Sequence, residues 1–151
     1  MGKIFARILH SEQAGLLLAL VLLCVVISLL TPVFFTALNI KNVLRDASLV
    51  AIAGIGMVMI ILLGEIDLSV GSTQAVAGII AVAVLNQMDS VLLALLAALL
   101  AGAVIGLCNG LLVTKAGINS LIATLGMMAI LRGGAMVSTQ AVSIQGKVES
   151  F

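Results

Sequence analysis

The chain is predicted to be an all-α, polytopic bundle of membrane-spanning helices. Three observations predict this. Of its 151 residues, 63% are hydrophobic and 9% are charged, against about 45–50% and about 25% in a soluble domain. The apolar residues gather in runs that approach the ~20 needed to cross a hydrocarbon core of ~30 Å. Pro32 and a glycine-flanked acidic stretch at 64–72 divide those runs. A soluble fold of this length buries too small a fraction of its surface to hide so much apolar area, so the bilayer must be the solvent.

The first residues carry Lys3, Arg7, His10 and Glu12, ahead of an apolar run from Ala14 to Leu30. A secretory signal would have an apolar region of about 7–15 residues ending at a small-residue cleavage site. This run is longer and has no such site, so it reads as a first transmembrane helix. Pro32 stops it, because proline cannot continue the hydrogen-bond ladder. His10 reads as a solvated residue at headgroup level. Residues 31–47 hold Pro32, Asn39, Lys41, Asn42, Arg45 and Asp46, and read as a polar connection or interfacial segment. Trp and Tyr are absent, so Phe34 and Phe35 serve as a minimal interface anchor.

Further apolar segments follow at 48–63, 73–85, 91–113 and 121–138, with short polar turns at 86–90 and 114–120 and a polar tail from 139. With 14–30 they make about five membrane segments in a single transmembrane domain over residues 1–151. Lys115 and Arg132 read as snorkelling cations, and Gly133 and Gly134 as a helix end or kink.

The segment 48–85 is the informative one. As one helix it would be roughly 57 Å long, nearly twice the core thickness. Its two apolar halves are each short for a full crossing. Short, glycine-interrupted apolar segments mark discontinuous transporter helices. Irregular backbone at membrane depth survives only where protein or a watery cavity covers it.

The break reads Gly64-Glu65-Ile66-Asp67-Leu68-Ser69-Val70-Gly71-Ser72. A carboxylate at the bilayer centre costs about 2.5–3.5 kcal/mol on insertion scales. Glu65 and Asp67 therefore belong at an interface or in a polar cavity. Gly64 can end one helix with positive φ. Asp67 can then cap the next helix, accepting from the amides of Ser69 or Val70. The functional alternative is a polar lining of a transport pathway, formed by Gly64, Glu65, Asp67, Ser69, Gly71 and Ser72. Glu65 is as suited to a Lys or Arg partner as to a solute.

Within 91–113, small residues recur every four positions, at Ala94, Ala98, Gly102, Gly106 and Gly110. Such a ridge lets helix backbones approach closely. Gly71, Ala75 and Gly78 form a shorter one. Close helix packing is expected within the chain, between chains, or both.

Composition also excludes functions. A net charge of +1 makes no electrostatic case for nucleic acid. Cys24 and Cys108 sit inside apolar runs; they read as small packing residues before a disulfide, and no spacing suggests a metal. No phosphate-binding G-x-x-x-x-G-K-[ST] loop is present, so ATP would be hydrolysed on another chain. With one histidine outside the apolar runs, no nucleophile set for catalysis can be assembled. No cofactor is expected.

The motif at 64–72 resembles the hallmark segment of the permeases of ribose-type ABC sugar importers, which serve ribose, arabinose, xylose and autoinducer-2. Phe35 to Arg45 resembles the segment after that family's first helix. Asn109-Gly110, Ile122-Ala123-Thr124-Leu125-Gly126 and Arg132-Gly133 resemble the next block. There are departures: Glu65 stands where the family has a second glycine, and Ser120-Leu121 where it has Pro-Phe. Family members are also about twice this length, so the chain resembles an N-terminal half. The resemblance implies a transport subunit in the bacterial inner membrane, with its N-terminus inside. It implies a second permease subunit, cytoplasmic ATPase subunits and an extracytoplasmic sugar-binding protein as partners.

Two rival readings remain. An ion-coupled secondary transporter would use Glu65 and Asp67 beside the break to bind a proton or sodium. A non-transporting assembly subunit would need only the small-residue ridges.

Overall fold

A computed structural model of the chain describes residues 12–146, with side chains from residue 14. Lys3, Arg7, His10 and the side chain of Glu12 lie outside the described residues, as does the tail from 147. Five helices account for most of the rest: α1 (Glu12–Leu30), α2 (Ala37–Leu62), α3 (Val70–Met88), α4 (Val91–Thr114) and α5 (Ser120–Thr139). There is no strand among the described residues. The last four helices are each long and apolar enough to cross a membrane, and the apolar part of α1, Ala14–Leu30, is shorter.

The chain divides into two units, one up to Ile52 and one from Ala53. In the first, α1 ends at Leu30, and Thr31 Oγ1 donates back to Ile27 O at 3.0 Å. Pro32 opens a turn in which the Phe34 and Phe35 rings meet edge to face at 4.9 Å. Thr36 Oγ1 then accepts from the Asn39 amide at 3.3 Å, while Asn39 Nδ2 donates to Phe34 O at 2.7 Å. Thr36 is thus a capping hydroxyl. It starts α2 at Ala37 rather than at residue 48, which corrects the polar connection expected over 31–47. Lys41, Arg45 and Asp46 lie in the first turns of the helix. Lys and Arg are good helix formers, so a break in apolarity here is not a break in the helix. The 26 residues of α2 make about 39 Å, more than the ~30 Å core, so one end can carry charge at headgroup level.

In the second unit α3 packs against both α4 and α5, and α4 and α5 touch each other less. The connections are short, so neighbours run antiparallel. Asp89, with φ +47°, closes α3 by donating its N–H to Leu85 O; Ser90 Oγ then accepts from the Leu93 amide to open α4. Gly117, with φ +67°, turns the chain after α4, and the Asn119 side chain accepts from the Leu121 amide to open α5.

Two boundaries correct the picture of a short, interrupted helix pair. The helix expected over 73–85 is α3, with 19 residues, or about 28 Å. Both helices flanking the break are therefore of crossing length, and the break separates two crossings. Gly133 and Gly134 lie inside α5, which continues to Thr139, so they mark no helix end. Arg132 is likewise well inside the helix, with an exposed side chain.

The burial pattern is inverted relative to a soluble protein. Leu, Val and Ile side chains point outward along every helix but α3, where they are half-buried, and Leu29 is 82% exposed. The buried residues among those described are Ala94, Ala123 and four polar ones: Ser69, Asn109, Ser120 and Thr124. Hydrocarbon solvates apolar side chains as well as a core would, so what needs covering is polar.

Candidate functional site

The four buried polar residues meet at the segment joining α2 to α3. α2 ends in a paired C-terminal motif: Glu65 N–H donates to Ile60 O at 3.2 Å and Gly64 N–H to Ile61 O at 2.9 Å. That pattern requires a left-handed residue in its penultimate place, and Gly64 supplies it with φ +79°. The chain then runs without regular structure from Glu65 to Ser69. Backbone groups freed by such a break must find partners.

The first two turns of α5 provide them. Ser120 Oγ accepts from the Ile66 amide at 3.4 Å, and Thr124 Oγ1 accepts from the Leu68 amide at 3.1 Å. Thr124 Oγ1 itself donates to Ser120 O at 2.7 Å. Asp67 serves the next amide: its Oδ1 accepts from Ser69 N–H at 2.7 Å and from Ser69 Oγ at 2.6 Å. This corrects the capping assignment in position. Ser69 is the residue before α3, and Asp67 stands two residues earlier, closing a local side-chain-to-backbone turn. Its charge still faces the positive end of the α3 dipole.

α4 completes the cluster. Asn109 Nδ2 donates to Ser69 Oγ at 2.8 Å. The Ser69 hydroxyl has one proton and gives it to Asp67, so it can only accept from Asn109. That fixes the amide: flipping it would set two acceptors against each other. Asn109 Oδ1 is left buried and without a hydrogen-bond partner. Beside it is a cavity of about 220 Å³, lined by Ile60, Leu63, Glu65, Asp67, Gly106 and Gly110 among others. Neither carboxylate has a basic partner among the described residues.

Position within the helices places this cluster near one end of the second unit. Asn109 lies about 7.5 Å before the end of α4, and Thr124 about 6 Å after the start of α5. Of the motif residues, Gly64, Glu65, Asp67 and Ser69 come together here. Gly71 and Ser72 form the first turn of α3, where Ser72 Oγ donates to Ser69 O at 3.0 Å.

The small-residue ridge is covered within the chain only toward its N-terminal end. Ala94 is buried, Ala98 and Gly102 are half-buried, and Gly106 and Gly110 are exposed. A Cβ added at Gly102, Gly106 or Gly110 would meet nothing within 4 Å. Four residues turn a helix by about 400°, so each step drifts about 40° and the ridge rotates about 160° from Ala94 to Gly110. The face buried within the chain instead follows Ala94, Ala98, Ile105 and Asn109. The same open space surrounds Gly71 and Gly78. Cys24 and Cys108 are free thiols.

Asn109, Ser120 and Thr124 are the site residues that reasoning from charge and spacing passed over. Their signal is polarity in an apolar setting: Asn109 is the lone amide in its run, and Ser120 and Thr124 share a helix face at a spacing of four.

These features define a multi-pass membrane protein with a polar cluster at the join between two crossing helices. The family described as branched-chain amino acid transport system / permease component matches residues 39–150, and the chain belongs to it. Among curated proteins it is 44% identical to the ribose import permease protein RbsC of Escherichia coli K12 over 137 residues, 91% of this chain and 42% of that one. It is 34% identical to the L-arabinose ABC transporter permease protein AraH of Azospirillum brasilense, over 93% of this chain and 41% of that one. It is also 34% identical to the D-allose transport system permease protein AlsC of E. coli K12, over 95% of this chain and 45% of that one. The chain thus spans about two-fifths of the length of these curated relatives. No solved structure matches it.

Proposed function

We propose that the chain is a membrane-spanning permease component of an ATP-driven importer for a monosaccharide or similar small polar solute. It would work in the bacterial cytoplasmic membrane as part of one larger transmembrane domain. The observation that carries this reading is the 44% identity to a ribose import permease across 91% of the chain. The break motif and its polar staple lie inside the matched family region.

The chemistry follows from the family. The permease itself forms no bond and breaks none. ATP hydrolysis on cytoplasmic ATPase subunits would supply the work, a second permease subunit would complete the pathway, and an extracytoplasmic binding protein would deliver the sugar. The motif residues Gly64, Glu65, Asp67, Ser69, Gly71 and Ser72 would shape the pathway wall rather than react. With the N-terminus inside, the break and the α4–α5 connection face the cytoplasm. The carboxylates Glu65 and Asp67, without a basic partner among the described residues, favour one rival, coupling to an ion gradient.

Uptake separates the two. The test protein is an E. coli ribose permease whose matched stretch is replaced by this chain, expressed with its binding protein and ATPase. Ribose uptake should stop when the ATPase is made hydrolysis-defective. Uptake that survives that change and collapses with the ion gradient would overturn the ATP-driven reading.

A further inference from the structure

The cavity beside the break is unfilled in a way that describes its occupant. Its floor is Gly106 and Gly110, whose exposed backbone would let a second helix approach closely. Its wall holds Asn109, 94% buried by its 6% exposure, with Oδ1 fixed in orientation and lacking a donor. Leaving a buried acceptor unpaired is unfavourable. Its rim carries Glu65 and Asp67, which have no cation among the described residues. Apolar side chains from Ile60, Leu63 and Val113 make up much of the rest.

We propose that this cavity is a docking groove for a transmembrane helix from the portion of the permease that the curated relatives carry outside the matched span. The docked helix is small or apolar where it crosses Gly106 and Gly110. It places a Lys or Arg beside Glu65 and Asp67. More than half of each relative's length lies outside the match, so the assembled permease has chain enough to supply such a helix. Charge argues against a second copy of this chain here: pairing the same face would bring four carboxylates together without a cation. The inference rests on the permease reading, since that reading supplies the partner.

The experiment co-expresses this full chain with the unmatched portion of the E. coli ribose permease as a separate, tagged polypeptide. Two readouts are taken: recovery of the chain with the tag, and thermal unfolding of the chain alone in detergent. Gly106→Leu is expected to abolish recovery and not to lower the unfolding midpoint of the lone chain, because a Cβ there meets nothing within 4 Å and leucine is the better helix former. A photo-crosslinker on Gly110→Cys, in a chain with Cys108→Ala, is expected to capture the tagged partner. The same reagent on native Cys108, about 200° around the helix from Gly106, should not capture it. The proposal is overturned if Gly106→Leu destabilises the lone chain, if it leaves recovery intact, or if Gly110→Cys captures a second copy of this chain or lipid alone. If parent chain and tagged portion do not associate at all while the chimeric permease still takes up ribose, docking fails and the permease reading stands.

Discussion

Ser69 is fully buried, and it holds together two hydrogen-bonding systems: it donates to Asp67 and accepts from Asn109. Thr124 plays the matching part on α5, accepting from the Leu68 amide. Thr124→Val keeps the shape and removes the acceptor, leaving that amide unpaired. The expected cost is about 1–3 kcal/mol, read as a lower midpoint of thermal unfolding in detergent; an unchanged midpoint would show that water replaces the hydroxyl. At this scale the sequence was only partly legible. The acidic pair stood out because charge is costly in hydrocarbon, and the Asp67-to-Ser69 bond is local, so spacing alone could suggest it. Asn109, Ser120 and Thr124 act across 40 to 58 residues of sequence, and nothing in one sequence reports such a distance.

Helix ends explain most of the differences between expectation and structure. The starts of α4 and α5 were readable within a residue, because Ser90 and Asn119 cap them just where the apolar runs begin. The start of α2 was not, because its first turns are polar and its cap, Thr36, precedes charged residues. Backbone conformation adds two predictions. Gly64 sits at φ +79°, so Gly64→Ala should destabilise by about 1–2 kcal/mol, the cost of a left-handed residue with a Cβ. The end of α5 repeats the same turn without glycine: Gln140 and Ala141 have φ +53° and +58°, and Ala141 N–H donates to Met136 O. Ala141→Gly relieves that strain and loses some of the gain to chain entropy. It should stabilise by up to ~1 kcal/mol. Denaturation midpoints of the two variants should move in opposite directions; a shift in the same direction would contradict the turn assignment. The small-residue ridge shows a further limit, since a strict spacing of four drifts around the helix and cannot stay on one buried face.

Over the whole molecule, composition and the lengths of the apolar runs were enough for an all-helical membrane protein, because only a bilayer suits so many Leu and Val side chains and only helices fit runs of that length. The family entered through the motif and its order along the chain, and the match over residues 39–150 agrees with it. Topology carries its own prediction. In the proposed orientation, with the N-terminus inside, Lys115 just after α4 would face the cytoplasm. Lys115→Cys, in a chain with Cys24→Ala and Cys108→Ala, should react with a membrane-impermeant maleimide only after the membrane is opened. Labelling in intact cells would invert the topology. The role proposed for this chain is part of an importer's permease, built around a break stapled by hydrogen bonds. Its most direct test is ribose uptake by the chimeric E. coli permease carrying Asp67→Asn or Asp67→Ala. Asn retains the oxygen that accepts from Ser69, so Asp67→Asn should preserve most ATP-dependent uptake while Asp67→Ala loses it. Equal loss in both variants would make the charge itself essential and contradict the structural role given to Asp67.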